Sequence, residues 1–302
     1  MTFYAFLLIL FSAFLHASWN LMSKARRPSL VFYMQASFTA SLLWMIPVII
    51  GIRRVDWQNV PAEFYYFAAG SVLCEVIYFT GLANAYKRSD ISVAYPMVRA
   101  LPVLFTAILS IAFHLGKEAL SPISLLGMVV IFAGCFIMPQ KKFSDIKLSA
   151  YLSWSFAFIV LGALGTTGYT IFDSLALEKL KTCFSAGDKV LISCMYLGIL
   201  EAGIALGILC IVPFIQEERY ELKHSFCRTW IPSLASLFSS SAYGIILLAM
   251  PMVTNVSLVQ AFRQISLPIC AIAGVVLLHE KMTLPRTIGL ILIVSGLIMS
   301  IF

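Results

Sequence analysis

The sequence predicts an all-α membrane protein of ten transmembrane helices, arranged as two inverted five-helix repeats. Three observations lead to this fold class: an apolar composition, a series of apolar segments of similar length, and an internal repeat. Of the 302 residues, 61% are hydrophobic and 12% are charged, and the mean hydropathy is +0.94. Soluble domains average roughly 45–50% apolar and about 25% charged residues. A soluble core cannot bury this much apolar surface, so we assign the chain to the bilayer.

Each predicted span is an apolar segment of about 20 residues, which is the length that crosses roughly 30 Å of hydrocarbon as a helix. The predicted spans are 3–22, 31–50, 64–86, 91–113, 121–138, 150–172, 190–213, 230–249, 256–278 and 284–302. Charged or polar loops separate most of them. Only the uncharged MPMVTN segment (250–255) separates spans eight and nine, so nine spans is the alternative count. The first span follows no basic residue, and we interpret it as a retained helix.

The net charge of +7 comes from Lys and Arg residues in short loops, where they act as topology signals and not as a nucleic-acid surface. The odd-numbered loops are the more basic, which by the positive-inside rule places them in the cytoplasm and both termini outside. Seven scattered cysteines predict neither a disulfide framework nor a zinc site. The sequence has no nucleophile elbow, HExxH or P-loop motif. We therefore predict no enzyme, no metal, no cofactor and no direct use of ATP.

An internal repeat relates segments 116–138 and 278–300 at a constant offset of 162 residues. The matched pairs are Glu118 with Glu280, Ser121 with Thr283, Gly127 with Gly289, and Gly134 with Gly296. We therefore predict two five-helix repeats, at 1–140 and 149–302. An odd number of spans in each repeat inverts the second copy in the membrane, and inverted repeats are typical of alternating-access transporters. The glycine pairs predict close helix packing or a dimer contact.

The motifs resemble one known family. The first helix ends LHASWNLMSK (15–24), and a Glu followed by a Gly-x6-Gly helix closes each half. Together with the five-span repeat, these features resemble the EamA-type branch of the drug/metabolite transporter (DMT) superfamily. The resemblance implies ten helices around a cavity lined mainly by helices one to four and six to nine. It also implies export, and it suggests cytoplasmic termini, in disagreement with the loop charges.

Ionisable residues inside predicted spans indicate a site, because each costs at least about 2.5–3.5 kcal/mol in hydrocarbon and needs a partner or water. Arg99 and Arg263 lie before prolines in the fourth and ninth spans, which we expect to be broken helices. Two such arginines predict a cavity that binds a carboxylate or phosphate. The alternative is internal compensation, with Glu75 neutralising Arg99 and Glu201 neutralising Arg263.

Two further alternatives concern the glutamates. Glu75 could exchange a proton for substrate instead of forming a fixed ion pair. Glu201 lies among Gly198, Gly203 and Gly207, which favours a role in close helix packing.

Polar and aromatic residues complete the predicted site. On the first helix, His16, Trp19 and Asn20 share a face, and Tyr169 lies on the sixth helix. The aromatic residues could instead form an interfacial belt, and His16 could be a packed core histidine. The predicted substrate-binding set is His16, Trp19, Asn20, Glu75, Tyr78, Tyr95, Arg99, Tyr169, Tyr243, Gln260, Arg263 and Gln264.

The sequence as a whole predicts a secondary transporter of the plasma or bacterial inner membrane, working as a monomer or homodimer. The expected substrates are small polar or amphipathic metabolites such as amino acids or organic anions, exported through a central cavity. A proton or a counter-substrate is the expected coupling partner, and the lipid bilayer surrounds the chain. The alternatives are a non-transporting assembly or sensor subunit, or a lipid-modifying membrane factor.

Overall fold

A computed structural model of the chain describes residues 3–24, 29–88, 91–112, 121–137, 140, 142–143, 153–181, 183, 188–253, 259, 261–269, 272 and 283–300. All regular structure in these ranges is helical. The α-helices are α1 (Phe3–Lys24), α2 (Leu30–Leu43), α3 (Met45–Arg54), α4 (Ala62–Arg88), α5 (Ile91–Ala112), α6 (Pro122–Ile137), α7 (Trp154–Lys181), α8 (Lys189–Ile211), α9 (Gln216–His224), α10 (Ile231–Ala249) and α11 (Leu284–Met299). Short 3₁₀ turns occupy Trp57–Asn59, Val212–Phe214, Met250–Met252 and Arg263–Ile265.

The helices confirm an all-helical membrane protein. Among the described residues, four helical stretches are long and apolar enough to cross a bilayer: Ala62–Arg88, Trp154–Lys181, Val190–Phe214 and Ile231–Ala249. The bent pair of α2 and α3 passes the same test when the two helices are counted together as one span. Shorter apolar helices occur at Phe3–Trp19, Val98–Leu109, Pro122–Ile137 and Leu284–Met299. The full count of ten spans stays a prediction.

The second predicted span is two helices that bend by 55° at Trp44. Pro47 lies three residues beyond the bend and explains it. A proline has no amide hydrogen, and its ring collides with the carbonyl of the residue four positions earlier, here Leu43.

The structure corrects three boundaries expected from the sequence. The sixth helix continues to Lys181, although 173–189 was expected to be a loop. The expected loop at 216–228 contains α9. The fourth helix, expected to be broken, runs without interruption from Ile91 to Ala112 through Pro102. In the described part of the ninth span, a 3₁₀ turn at Arg263–Ile265 does interrupt the α-helix.

The tightest helix contact joins α4 and α7, and glycines make it close. A Cβ atom on Gly165 would lie 2.6 Å from the backbone nitrogen of Tyr78. One on Gly81 would lie 2.7 Å from Cα of Gly162. Real Cβ atoms do not approach a backbone this closely, so only glycine permits the observed spacing.

The contact between α6 and α11 also depends on glycines, and it is reciprocal. A Cβ on Gly127 would lie 2.6 Å from the carbonyl oxygen of Gly296, and one on Gly134 would lie 2.7 Å from that of Gly289. At the 162-residue offset of the repeat, exchanging the two halves converts the first contact into the second. These glycines therefore pack against each other within one chain, which accounts for them without a dimer contact.

Other helix pairs recur in the same way. Helix α1 contains span one and α10 contains span eight, and these two helices are in contact. In the repeat, span one corresponds to span six (α7) and span eight corresponds to span three (α4). The contact of α4 with α7 is therefore the repeat equivalent of the contact of α1 with α10. The contact of α2 with α8, spans two and seven, is converted into itself. The helices that contain spans one, two, three, six, seven and eight therefore surround a common centre.

We expect alanine to destabilise the protein at one of two packed glycines and to be tolerated at the other. Gly81→Ala places a methyl group against the backbone of α7 and should lower the free energy of unfolding by about 1–3 kcal/mol. Gly162→Ala is the matched control, because its new Cβ would find its nearest neighbour at 3.6 Å, an ordinary contact. Thermal unfolding in detergent micelles measures both. Equal unfolding temperatures for the two variants would contradict the described packing.

Candidate functional site

A cavity lies at the centre where these helices meet. Its volume is about 730 Å³, including the solvent space at its mouth. Side chains from α1, α2, α4, α7, α8 and α10 line it, together with Arg263. Seven residues of the predicted site line this cavity: His16, Trp19, Glu75, Tyr78, Tyr169, Tyr243 and Arg263. The structure thus brings together residues that are up to 247 positions apart in the chain.

The α1 wall of the cavity is formed by His16 and Trp19, which lie one helical turn apart. The indole N–H of Trp19 donates a hydrogen bond to Nδ1 of His16 over 2.9 Å, and the two rings pack edge to face. In this arrangement Nδ1 is an acceptor, so the imidazole is neutral at that nitrogen. The pair presents one fixed aromatic surface to the cavity.

Tyrosine rings form another part of the cavity wall. Tyr169 on α7 packs edge to face against Tyr78 on α4 and Tyr243 on α10, with ring centroids 5.9 and 5.7 Å apart. Tyr33 on α2 stacks on Phe79 of α4, with centroids 4.6 Å apart. Edge-to-face and offset packing are the favourable geometries for aromatic rings. This part of the wall therefore consists of packed apolar rings, and the tyrosines add phenol hydroxyl groups to it.

Arg263 brings a positive charge to the cavity from the 3₁₀ turn at Arg263–Ile265. Its side chain is 6% exposed. The guanidinium group lies 5.4 Å from the centre of the Tyr243 ring and forms a side-chain hydrogen bond with Tyr169. A cation over an aromatic face is stabilised by the ring quadrupole, more so away from water. The two tyrosines thus hold Arg263 in place.

Asp173 is the residue that the predicted site omitted and that orders the cavity wall. This fully buried carboxylate on α7 accepts hydrogen bonds from Ser71 Oγ on α4 (2.5 Å) and Tyr196 OH on α8 (2.7 Å). It also accepts one from Tyr243 OH on α10. Three hydroxyl donors satisfy a buried carboxylate that would otherwise be costly. One side chain therefore fixes four helices and the Tyr243 ring that contacts Arg263.

The sequence offered a weak signal for Asp173. It lies at the polar end of the sixth span, together with Thr166, Thr167 and Thr170, where the expected loop 173–189 begins. The helix instead continues for two more turns, so Asp173 faces α4, α8 and α10.

Two predicted site residues are buried outside the cavity lining. Gln264 has no exposed surface and is not among the lining residues. Arg99 donates from Nη2 to Ser266 Oγ over 3.2 Å, and that hydroxyl donates to the carbonyl oxygen of Arg263 over 2.9 Å. Arg99 therefore stabilises the turn that carries Arg263, through Ser266, without lining the cavity itself.

The ion pairs of the alternative interpretation, internal charge compensation, are not found among the described residues. In the described ranges, no salt bridge joins Glu75 to Arg99 or Glu201 to Arg263. Glu75 lies instead on the cavity wall, within electrostatic reach of Arg263, Asp173 and Glu201.

Glu201 also lines the cavity, where Ser37 of α2 is its hydrogen-bonding neighbour. The glycines near it do pack closely, since a Cβ on Gly203 would lie 2.7 Å from Val72. Gly203, two residues after Glu201, points to nearly the opposite side of α8. The spacing of Leu197, Glu201 and Ile204, which share the cavity face, was the sequence signal for the position of Glu201.

The remaining predicted residues fall outside what the structure describes. Asn20 and Tyr95 lie in α1 and α5, but their side chains are not among those described, and Gln260 lies outside the described residues. Within the described ranges, no group of three or more His, Cys, Asp or Glu is arranged to hold a metal ion.

Comparisons with known proteins are consistent with this architecture. Residues 3–140 match the EamA-like transporter family. A solved structure described only as the crystal structure of a protein is similar over 99% of this chain and 96% of its own, with a TM-score of 0.66 and 16% sequence identity. At that identity the likeness shows the fold alone. No curated protein matches the chain.

We expect Asp173→Ala to destabilise the protein by about 2–5 kcal/mol, because it leaves two buried hydroxyls and the partly buried hydroxyl of Tyr243 without their acceptor. Asp173→Asn retains a carbonyl acceptor of the same shape and should have a smaller effect. Thermal unfolding of the purified variants in detergent gives the order wild type, Asn, Ala. An Ala variant as stable as the wild type would show that the carboxylate does not hold these helices together.

Proposed function

Since residues 3–140 are an EamA-like transporter family domain of the drug/metabolite transporter superfamily, we propose that the chain is a secondary transporter of small polar or amphipathic metabolites. Membership of this family makes the protein a membrane transporter and not an enzyme. The observation that carries the proposal is the central cavity, in which ionisable and aromatic side chains from six helices meet. Transport follows alternating access, with export as the direction and the plasma or inner membrane as the location.

The proposed architecture is two inverted repeats, at 1–140 and 149–302. The reciprocal glycine contacts between α6 and α11 support it, because a two-fold axis between the halves requires that each such contact occur twice. The exchange of the α1–α10 and α4–α7 contacts supports it as well. Inverted repeats give a transporter two equivalent ways to pack its halves, one open to each side of the membrane.

The proposed substrate site is the cavity itself. Aromatic and ionisable side chains from six helices line it. His16 and Trp19 contact the substrate from α1, Tyr78, Tyr169 and Tyr243 enclose its apolar part, and Arg263 binds an anionic group such as a carboxylate. Amino acids and organic acids are substrates of this kind. Proton exchange through Glu75 stays a prediction.

The proposal is tested by transport from a complex mixture. Proteoliposomes that contain the wild-type protein are incubated with a cell metabolite extract, and their contents are compared with those of empty vesicles by mass spectrometry. We expect selective accumulation of a small set of polar metabolites. Arg263→Ala should reduce this accumulation about tenfold or more, because a charged hydrogen-bonding partner of the substrate is lost.

Arg219→Ala on the exposed surface of α9 is the matched control and should transport like the wild type. Size-exclusion chromatography in detergent verifies that each variant is folded, and the amount of protein in each vesicle preparation is measured. If the wild type accumulates nothing, with or without an imposed proton gradient, the proposed function is wrong. If Arg263→Ala transports normally, Arg263 does not bind the substrate.

A further inference from the structure

The hydrogen bonds of Asp173 lie toward one end of the helix bundle. At this end, which we call the α8 end, α4 and α8 begin and α7 and α10 finish. The ammonium group of Lys179 near the end of α7 lies 3.8 Å from a carboxylate oxygen of Glu63 near the start of α4. Ser193 near the start of α8 donates to the carbonyl oxygen of Leu247 near the end of α10. These contacts place the four helix termini together.

On each of these four helices, the residue that takes part in the Asp173 hydrogen bonds separates the cavity from the α8 end. The cavity-lining residues come after Ser71 on α4 and after Tyr196 on α8, and they come before Asp173 on α7. On α10, the last lining residue is Tyr243, which itself donates to Asp173. Ser71, Asp173 and Tyr196 have no exposed surface. These four residues, the Asp173 cluster, therefore close the cavity toward the α8 end.

Apolar side chains fill the bundle beyond the Asp173 cluster. Phe64 of α4, Leu177 of α7 and Met195 of α8 are at most 3% exposed and belong to one core with Tyr196. The ring centroids of Phe64 and Tyr196 are 6.2 Å apart. Hydrogen bonds are stronger in such surroundings than in water, because the local dielectric is low. The closure at the α8 end is thus an apolar layer with a polar contact on its cavity side.

The cavity extends much further toward the opposite end of the bundle. Phe32, the third residue of α2, and Ala235, the fifth residue of α10, both line it. Helix α2 begins at this opposite end, since Arg54 at the end of α3 pairs with Asp188 just before α8. The two ends of the cavity are therefore unequal. An arrangement that is closed at one end is one of the two states that alternating access between inverted repeats requires.

Of the three hydrogen bonds to Asp173, only the one from Ser71 joins the two proposed halves of the chain. Ser71 belongs to the half 1–140, whereas Asp173, Tyr196 and Tyr243 belong to the half 149–302. If the halves separate at the α8 end, Tyr196 and Tyr243 can stay bonded to Asp173. The bond between Ser71 and Asp173 must then be exchanged for bonds to water.

Two salt bridges also join the halves at this end, but they are partly exposed. They are Arg54 with Asp188 and Lys179 with Glu63, in which at least one side chain of each pair is more than half exposed. Exposed ion pairs contribute little to stability, because water and salt screen them. The buried bond from Ser71 to a carboxylate is the stronger restraint.

We propose that the hydrogen bond from Ser71 to Asp173 is the gate contact that keeps the α8 end closed, and that it breaks and re-forms in each transport cycle. Helices α4 and α7 separate at Ser71 and stay in contact through Gly81 and Gly162, which lie nearer the opposite end. Ser71 does not touch the substrate. It sets the balance between the two states. This inference rests on the proposed function, since a gate serves the transport assigned to the same cavity.

The test measures how often the α8 end opens. Ala176, which has no exposed surface and lies one turn beyond Asp173, is replaced by cysteine in full-length protein without the native cysteines. The rate of its reaction with N-ethylmaleimide is measured by mass spectrometry in detergent. Adding Ser71→Ala should raise this rate about tenfold, because the closed state alone loses a hydrogen bond to a charged acceptor.

Ser193→Ala is the matched control and should leave the rate unchanged. It removes a buried hydroxyl at the same end, but the bond of that hydroxyl to Leu247 lies within one half. A second control retains only the native Cys135, which is buried in α6, and its reaction rate should not respond to Ser71→Ala. An equal increase at Cys135 would indicate general loosening and overturn the gate.

An unchanged rate at position 176 in Ser71→Ala, or the same increase in Ser193→Ala, would also overturn it. Transport by the wild type in proteoliposomes, together with an unchanged rate at position 176, would overturn the gate and leave the proposed function standing. A selective increase in Ser71→Ala without any transport by the wild type would support the closing contact and overturn the proposed function.

Discussion

The cost of an ionisable group in a low-dielectric interior governs this structure, and Asp173 shows how the chain meets it. A carboxylate without partners would be strongly unfavourable among apolar helices. Three hydroxyl groups from three other helices satisfy it, so α4, α7, α8 and α10 are held in one arrangement. The close backbone approach of α4 and α7 through glycine brings Ser71 within reach. The close packing of α4 against α7 and the hydrogen bonds to Asp173 therefore depend on each other.

The cavity follows from the groups that are not satisfied in this way. Asp173 fixes Tyr243, Tyr243 and Tyr169 hold Arg263, and Arg99 with Ser266 supports the turn behind it. Glu75 and Glu201 line the cavity, and among the described residues neither forms a salt bridge. Polar groups left open beside an ordered aromatic wall are what a site needs to exchange protein contacts for substrate contacts. The same groups would be a liability in a purely structural core.

Much of the fold could be predicted from the sequence, because span length and helical periodicity are local properties. The apolar segments marked most helix ends within a few residues, and the shared face of His16 and Trp19 reached the cavity. Contacts between distant residues could not be predicted. Whether Glu201 faced a glycine contact or the cavity depended on which helix packs beside α8. Asp173 was placed at the polar end of the sixth span, where the expected loop begins, and no local feature of the sequence showed that three other helices contact it. Arg99 and Arg263 occupy similar sequence contexts, yet only Arg263 lines the cavity, and Arg99 contacts Ser266 in the segment that follows Arg263.

The central claim is that the cavity opens alternately to the two sides of the membrane. Ser239→Cys places a thiol on the cavity wall, and Leu237→Cys on the outer surface of α10 is its control. Both are made in a background without the native cysteines and labelled with a membrane-impermeant maleimide from either side of oriented vesicles. The account predicts that the thiol at position 239 reacts from both sides and that a transported substrate slows the reaction. Labelling from one side only, under every condition, would contradict alternating access through this cavity.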